Sequence, residues 1–478
     1  MIRATGRSDT MRLNPILQRA GRWLLAAATA LAAVHAQAAV VGISGSGGSG
    51  SRTFNLFAAE GYVSMADGVQ VYSWGYGATT GSGGTGLMQI SGPTLLVNQG
   101  EVVTVTLTNN LPTRTSILFP GQSNVQGSGG AAGVLAQEAG PGQTVTYTFT
   151  ASQPGTYLYQ SGTQTSLQTE MGMVGALIVY PSGAPSGARW AYGHAGSAYD
   201  RETLFVVGDI DSDIHAAIDD LVKSARATGD ACLTATDPAL QCVFSADLSK
   251  RFPKYWTLNG RTSPDVFSKN FAPELPHQPY NTLPRLHPGE RMLLRVIGAG
   301  TDLHPMHHHG NNSWAIARDG RMLASTTTSG PDLAFSDYTI QVVPGQTYDA
   351  IWTWTGAGLG WDVYGKLCDP AATTGPNVCT HTAAQQHQLL SDRGKPIPVK
   401  LPSEFELAYG EFYSGSPYLG DSGIRPVGAG AANTTGAFFH MFHSHNEREV
   451  VNGGIFPGGM MTMMVIEPPG VVIDVAQP

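Results

Sequence analysis

Apolar and polar residues alternate along several short stretches of this chain. Val102-Val-Thr-Val-Thr-Leu107 and Val145-Thr-Tyr-Thr-Phe149 are two of them. Met292-Leu-Leu-Arg-Val-Ile297 and Tyr348-Asp-Ala-Ile-Trp-Thr-Trp354 are two more. A period of two predicts strands with one buried face. The stretches also share their punctuation. Asn98-Gln-Gly-Glu introduces the first and His287-Pro-Gly-Glu the third, while Pro141-Gly-Gln and Pro344-Gly-Gln introduce the others. Each series closes on similar text, Gly172-Met-Val-Gly-Ala-Leu-Ile-Val-Tyr-Pro181 and Gly459-Met-Met-Thr-Met-Met-Val-Ile-Glu-Pro468. The same unit used twice predicts an all-β chain of two, or at most three, antiparallel β-sandwich domains. One segment breaks the period. From Asp213 to Val222 the apolar residues Ile214, Ile218, Leu221 and Val222 fall on one helical face, and Gly229 stops the helix. His215, on this small helical insertion, is expected at the solvated surface.

The boundaries follow from composition. Residues 53–182 form the first domain, 183–199 a Pro/Gly/Ser-rich linker, and 200–470 a second domain enlarged by insertions at about 211–270 and 356–400. Ahead of them, 39–52 is mostly Gly and Ser and is expected to be a flexible leader. Residues 1–38 have the form of an export signal: Arg3, Arg7, Arg12, Arg19 and Arg22 precede the apolar run Trp23–Val34, then Ala36-Gln37-Ala38. The mature protein is therefore expected in the periplasm or secreted, with no membrane span. Without that signal the chain carries 22 basic against 34 acidic residues, a balance that excludes nucleic acid and anionic membrane as partners. Cys232 with Cys242, and Cys368 with Cys379, are close enough in sequence to form two loop-closing disulfides.

The candidate chemistry lies in histidines. His304-Pro-Met-His-His-His-Gly310 and His443-Ser-His445 each place two imidazoles two residues apart, so His307 shares a strand face with His309, and His443 with His445. Side by side, the two strands offer four imidazoles to one point, which suits a transition metal. The alternative is two surface or hydrogen-bonded histidine pairs. The repeat sharpens the contrast. Eighteen residues beyond Gly100 stands Leu118, and eighteen beyond Gly289 stands His307; Pro120 then matches His309, and Tyr159-Gln160-Ser161-Gly162 matches Phe442-His443-Ser444-His445. His381 and His387, in the second insertion, are taken as loop surface. The methionines near Met460 and Met171 could bind cuprous ion, but strand alternation favours core. Asn311-Asn-Ser and Asn433-Thr-Thr have the form of glycosylation acceptors.

These residues resemble the multicopper oxidases, the family of laccases and copper nitrite reductases, across both domains. The resemblance rests on His-Pro-X-His-X-His-Gly at 304–310 and on His443-Ser444-His445 with Glu449, where the family reads His-Cys-His-X3-His. Ser116–Gly121 and Gly155–Gly162 supply the first domain's share. It implies cupredoxin-like Greek-key domains and copper. In the family a type 1 copper accepts electrons and a trinuclear cluster reduces oxygen. Here the type 1 position would use His304, Ser444, Glu449 and Met460, and serine cannot supply the thiolate of a blue copper. The cluster's first-domain imidazoles are replaced by Leu118, Pro120, Gln160 and Gly162. His307, His309, His443 and His445 remain, with His304 a less secure ligand and His308 and His440 in supporting places or none. One or two copper ions are therefore expected rather than four, with limited oxidoreductase chemistry on oxygen or a small molecule and ordinary laccase activity disfavoured. The alternative is a catalytically silent binding or scaffold protein of the same fold. Two-domain relatives imply a homotrimer.

Overall fold

The computed structural model describes residues 40–355, 419–420, 423–424, 437–467 and 471–473. The expected export signal and the expected insertion at 356–400, with Cys368, Cys379, His381 and His387, lie outside the described residues, as does Asn433. The chain is all-β with two sandwiches. In the first, a six-stranded sheet built around Ser51–Ser64, Val102–Asn109 and Thr144–Thr150 packs on a three-stranded sheet of Gly155–Gln160, Val174–Tyr180 and Gly92–Asn98. In the second, a seven-stranded sheet built around Arg201–Ile210, Arg291–Gly298 and Thr347–Thr353 covers a five-stranded one. The latter runs in the order Arg285–Leu286, Met461–Ile466, Phe438–Ser444, His304–His308, Thr339–Val342.

The repeat in the text is a repeat in topology. Ser51–Ser64 runs parallel to Val102–Asn109, which pairs antiparallel with Thr144–Thr150. Arg201–Ile210, Arg291–Gly298 and Thr347–Thr353 do the same. The alternation predicted from sequence is also present: Val103, Val105 and Leu107 are fully buried, whereas Thr104 and Thr106 on the other face are half-buried. Each such aliphatic side chain contributes roughly 1.5–3 kcal/mol by leaving water.

Three expectations need correction. Residues 40–52 are not a flexible leader. Val40 is buried, Ile43 forms a parallel bridge to Leu95 with its N–H donating to Thr94 O at 2.8 Å, and the first strand already begins at Ser51. The helix is present as Ser212–Thr228, capped by the Asp211 carboxylate at its start and by Gly229 in the left-handed region (φ 62°) at its end. Ile214, Ile218 and Val222 bury into the first domain's core, but Leu221 stays exposed. His215 is not at the surface. It is fully buried, with Nδ1 against Tyr72 O at 2.5 Å and Nε2 against Glu170 O at 2.9 Å, so it docks the helix onto the first sandwich. The Cys232–Cys242 disulfide closes the loop that follows. The 211–270 segment also contains the strand Tyr255–Leu258, which extends the sheet beside Arg201–Ile210.

A buried polar cluster joins the two sandwiches. Arg295, with no exposure, donates to Glu202 Oε2 at 2.8 Å and to Thr156 Oγ1 at 2.9 Å, and Thr156 donates to Asp349 Oδ1 at 2.7 Å. Thr156 belongs to the first sandwich and the other three to the second.

Candidate metal centre

The strand His304–His308 lies antiparallel to Phe438–Ser444, with His307 directly opposite His443 and Met306 opposite Ser444. His309 follows at the strand end, its N–H donating to Met441 O at 2.9 Å. Ring centroids are 4.9 Å apart for His307 and His309, 5.6 Å for His307 and His443, and 5.2 Å for His309 and His443. One nitrogen from each of these three rings lies within 4.8 Å of the others. The closest pair is Nε2 of His443 and Nε2 of His309, 3.2 Å apart.

Backbone and side-chain partners hold the rings in place. His443 Nδ1 is 2.8 Å from Ser444 O. A carbonyl can only accept, so Nδ1 carries the proton and the Nε2 lone pair points at the cluster. His307 Nδ1 contacts Thr339 Oγ1 at 3.0 Å, across the register that pairs the two residues. Burial lowers the pKa of His307, helped by its neighbours His443 and His445. Burial, with the same crowding, takes His309 down to about 3. Both are unprotonated near neutral pH, as metal ligation requires. A histidine outside such a cluster would be partly protonated in weak acid.

His445 borders this group without closing on it. Its ring is 5.1 Å from that of His307 and 5.7 Å from that of His443, and its side chain is 55% exposed. His304 is turned away. Alternation puts His304, Met306 and His308 on the buried face and His307 on the other. His304 Nδ1 lies 2.9 Å from Glu449 Oε2, and its Nε2 is 3.2 Å from Asp209 Oδ2. Burial alone would lower its pKa; hydrogen bonding to Asp209 and Glu449 outweighs this and raises it to about 9. His304 is therefore an imidazolium at neutral pH. Its two carboxylate partners sit at opposite nitrogens, so they share no point where one ion could meet both and the ring. The residues at the type 1 position do not fit a copper ion.

His308 and His440 lie outside this cluster. His308 Nε2 accepts from Ser313 N at 2.9 Å, and burial lowers its pKa to about 4. His440 is buried beneath Gly310 and beside Trp352 and Trp354, with its pKa also lowered to about 4 by burial. Met171, Met173, Met460, Met461 and Met464 are all buried, as the alternation favoured. In the first sandwich, Leu118 bridges Gln160 at the station where His307 pairs with His443. A Cβ at Gly162 would meet Leu118 at 2.8 Å, so leucine fills that space. Asp209, Thr339 and Arg251 were not singled out in the sequence. Thr339 carries no motif, and only its register against His307 reveals it.

The fold and the cluster define a class: a two-sandwich cupredoxin-like protein with one histidine-rich sandwich. Comparisons with known proteins agree. Residues 86–184 match the family described as Multicopper oxidase. An L-ascorbate oxidase of Brassica rapa subsp. pekinensis is 36% identical over 94 residues, 19% of this chain and 16% of that protein. Copper resistance protein A of Escherichia coli is 30% identical over 137 residues, 28% of this chain and 21% of that protein. The solved structure of the multicopper oxidase mgLAC superposes with a TM-score of 0.51 at 19% identity, covering 89% of this chain and 88% of that one. The likeness to multicopper oxidases is thus carried in sequence by residues 86–184 and in fold by most of the chain. The matched segments span less than a quarter of those two curated relatives. The family match falls on the sandwich that has Leu118, Pro120, Gln160 and Gly162 in place of imidazoles.

Proposed function

We propose that this is an exported copper protein in which one copper ion, or at most a pair, is held by His307, His309 and His443, with His445 completing the set from the solvent side. The observation that carries the reading is the convergence of three ring nitrogens within 4.8 Å, on rings that are kept neutral or fixed in tautomer. Neutral imidazole is a ligand type suited to copper. When bound, copper supplies one-electron redox chemistry. The chain's own residues do the rest. Ser444 O and Thr339 Oγ1 orient the His443 and His307 rings, burial keeps His307 and His309 from taking up a second proton, and the exposed edge at His445 leaves a way in for oxygen or a small donor. With serine in place of the thiolate there is no blue copper, and laccase-type turnover is not part of the proposal.

Export through residues 1–38, the division into 53–182 and 200–470, and a homotrimer belong to the same reading. Among the described residues no helix is long and apolar enough to cross a membrane. An exposed apolar patch, with Val134 95% and Leu135 59% exposed, borders a cavity of about 270 Å³ lined by Leu118 and Pro120. That patch is where a second copy would cover the imidazole-free site of the first sandwich. Metal analysis of the purified protein beside a His307→Ala/His443→Ala variant tests the function; light scattering tests the assembly, and a strict monomer would remove the trimer.

A further inference from the structure

Ser444 stands between the two histidines of its motif, and all of its polar atoms are engaged. Its Oγ donates to Glu449 Oε2 at 2.5 Å and accepts from Asn446 N at 3.2 Å. Its N–H donates to Met460 O at 3.0 Å, and its carbonyl accepts from His443 Nδ1 at 2.8 Å. Glu449 is 2% exposed and is itself fixed from three sides, by Ser444, by Asn446 Nδ2 at 2.8 Å and by His304 Nδ1 at 2.9 Å. His304 continues the chain to Asp209. Arg251 binds Asp209 at 2.6 Å and also pairs with Glu170, whose carboxylate accepts from Asp211 N at 2.7 Å. A line of ion pairs and hydrogen bonds thus runs from the first sandwich, through the insertion, to Ser444, whose carbonyl sets the tautomer and direction of His443.

We infer that Glu449 and Ser444 act as positioning residues for the histidine cluster, and that His304, held between Glu449 and Asp209, serves as the anchor of this brace rather than as a metal ligand. The physical reason is local. Ser444 is the last residue of its strand, and the peptide that carries its carbonyl keeps one backbone bond to the neighbouring strand, His445 N–H to Pro305 O at 2.8 Å. The Oγ bond to the buried Glu449 carboxylate adds a second hold on the same residue, so the Ser444 carbonyl stays aimed at His443 Nδ1. Groups that hold a ligand histidine through its second nitrogen typically change metal affinity 10- to 100-fold when removed. The brace occupies the positions His304, Ser444 and Glu449 that the family resemblance would assign to a type 1 copper.

The inference rests on the copper reading for its affinity readout but not for its test in the metal-free protein. Ser444→Ala removes only the Oγ link, Glu449→Ala removes its acceptor, and Glu449→Gln keeps an acceptor without the charge. Two measurements are made on each full chain: the ¹⁵N shifts and Nδ1–H signal of His443 in the metal-free state, and cupric affinity with the paramagnetic resonance spectrum. Ser444→Ala and Glu449→Ala should each broaden or shift the His443 Nδ1–H signal, weaken copper by up to about 10-fold and alter the copper hyperfine splitting. The double variant should lose no more than either single one, because both cut the same link. Glu449→Gln should restore most of the parental spectrum. If Glu449→Ala fails to fold, Ser444→Ala decides alone. A folded Ser444→Ala protein with parental His443 signals, affinity and hyperfine splitting overturns the brace. If the parent binds no copper, the copper reading fails separately, and the metal-free His443 signals still decide the inference.

Discussion

Removing one imidazole from each of the paired strands, as His307→Ala/His443→Ala, should abolish the effect of copper on thermal stability. The two residues face each other in register, so each substitution takes one nitrogen from a different strand of the three that converge. Only His309 and the exposed His445 remain, too few to hold an ion tightly. A ligand that binds only the native state adds about 2.7 kcal/mol at a hundred times its dissociation constant. For a cooperative unit of domain size this corresponds to a rise in Tm of about 5–10 °C. The assay is calorimetric or fluorescence-detected melting of parent and variant, each metal-free and with cupric ion, at fixed protein concentration. A variant that shows the parent's shift refutes the assignment of these two residues. His381→Ala/His387→Ala, at positions without a counterpart in the repeat, should leave the shift intact.

Copper-loaded protein should be nearly colourless, since no cysteine thiolate is available for charge transfer at Ser444; an intense blue band from the intact chain would contradict this. Stability should fall as the pH drops from 6.5 toward 4. His308 and His440 have native pKa values lowered to about 4, so the unfolded chain takes up protons that the native state refuses. Each contributes roughly 3 kcal/mol of that loss at one unit per about 1.4 kcal/mol, and urea titrations across this range in His308→Gln should show a shallower slope. On the alkaline side the sign reverses for His304. Its native pKa of about 9 lies above its unfolded value, so its stabilisation is complete below pH 6.5 and is lost as pH rises through 9; a His304→Gln variant should lack that alkaline limb. Arg295→Met should destabilise the protein by about 3–5 kcal/mol because it strands Glu202 and Asp349 without their cation at the junction of the sandwiches; an unchanged denaturation midpoint would show that this cluster does not join them.

The sandwiches were legible because their strands alternate and their turns repeat; both signals are local. The register of the repeat was legible too, and the structure pairs Leu118 with Gln160 as it pairs His307 with His443. What escaped the sequence depends on contacts between distant segments. His215 was placed in solvent although it sits three residues before Ile218 and seven before Val222, a spacing that puts it on the buried helix face. Its partners, Tyr72 O and Glu170 O, belong to another domain and have no signature in the helix. Residues 40–52 are rich in Gly and Ser, yet Val40 and Ile43 suffice to pin them against the Gly92–Asn98 strand. His304 shows the opposite lesson. Strand alternation alone separates it from His307, whereas family likeness counts it among ligands; the structure follows the alternation and closes the ring between two carboxylates.

The most direct test of the central claim is the copper content of the purified full-length chain after loading and removal of loosely held ion, read together with its paramagnetic resonance spectrum. The account predicts about one cupric ion per chain, or two at most, with nitrogen hyperfine structure and weak visible absorption, and none retained by the His307→Ala/His443→Ala variant. A parent protein that retains no copper, or a variant that retains as much as the parent, would contradict it.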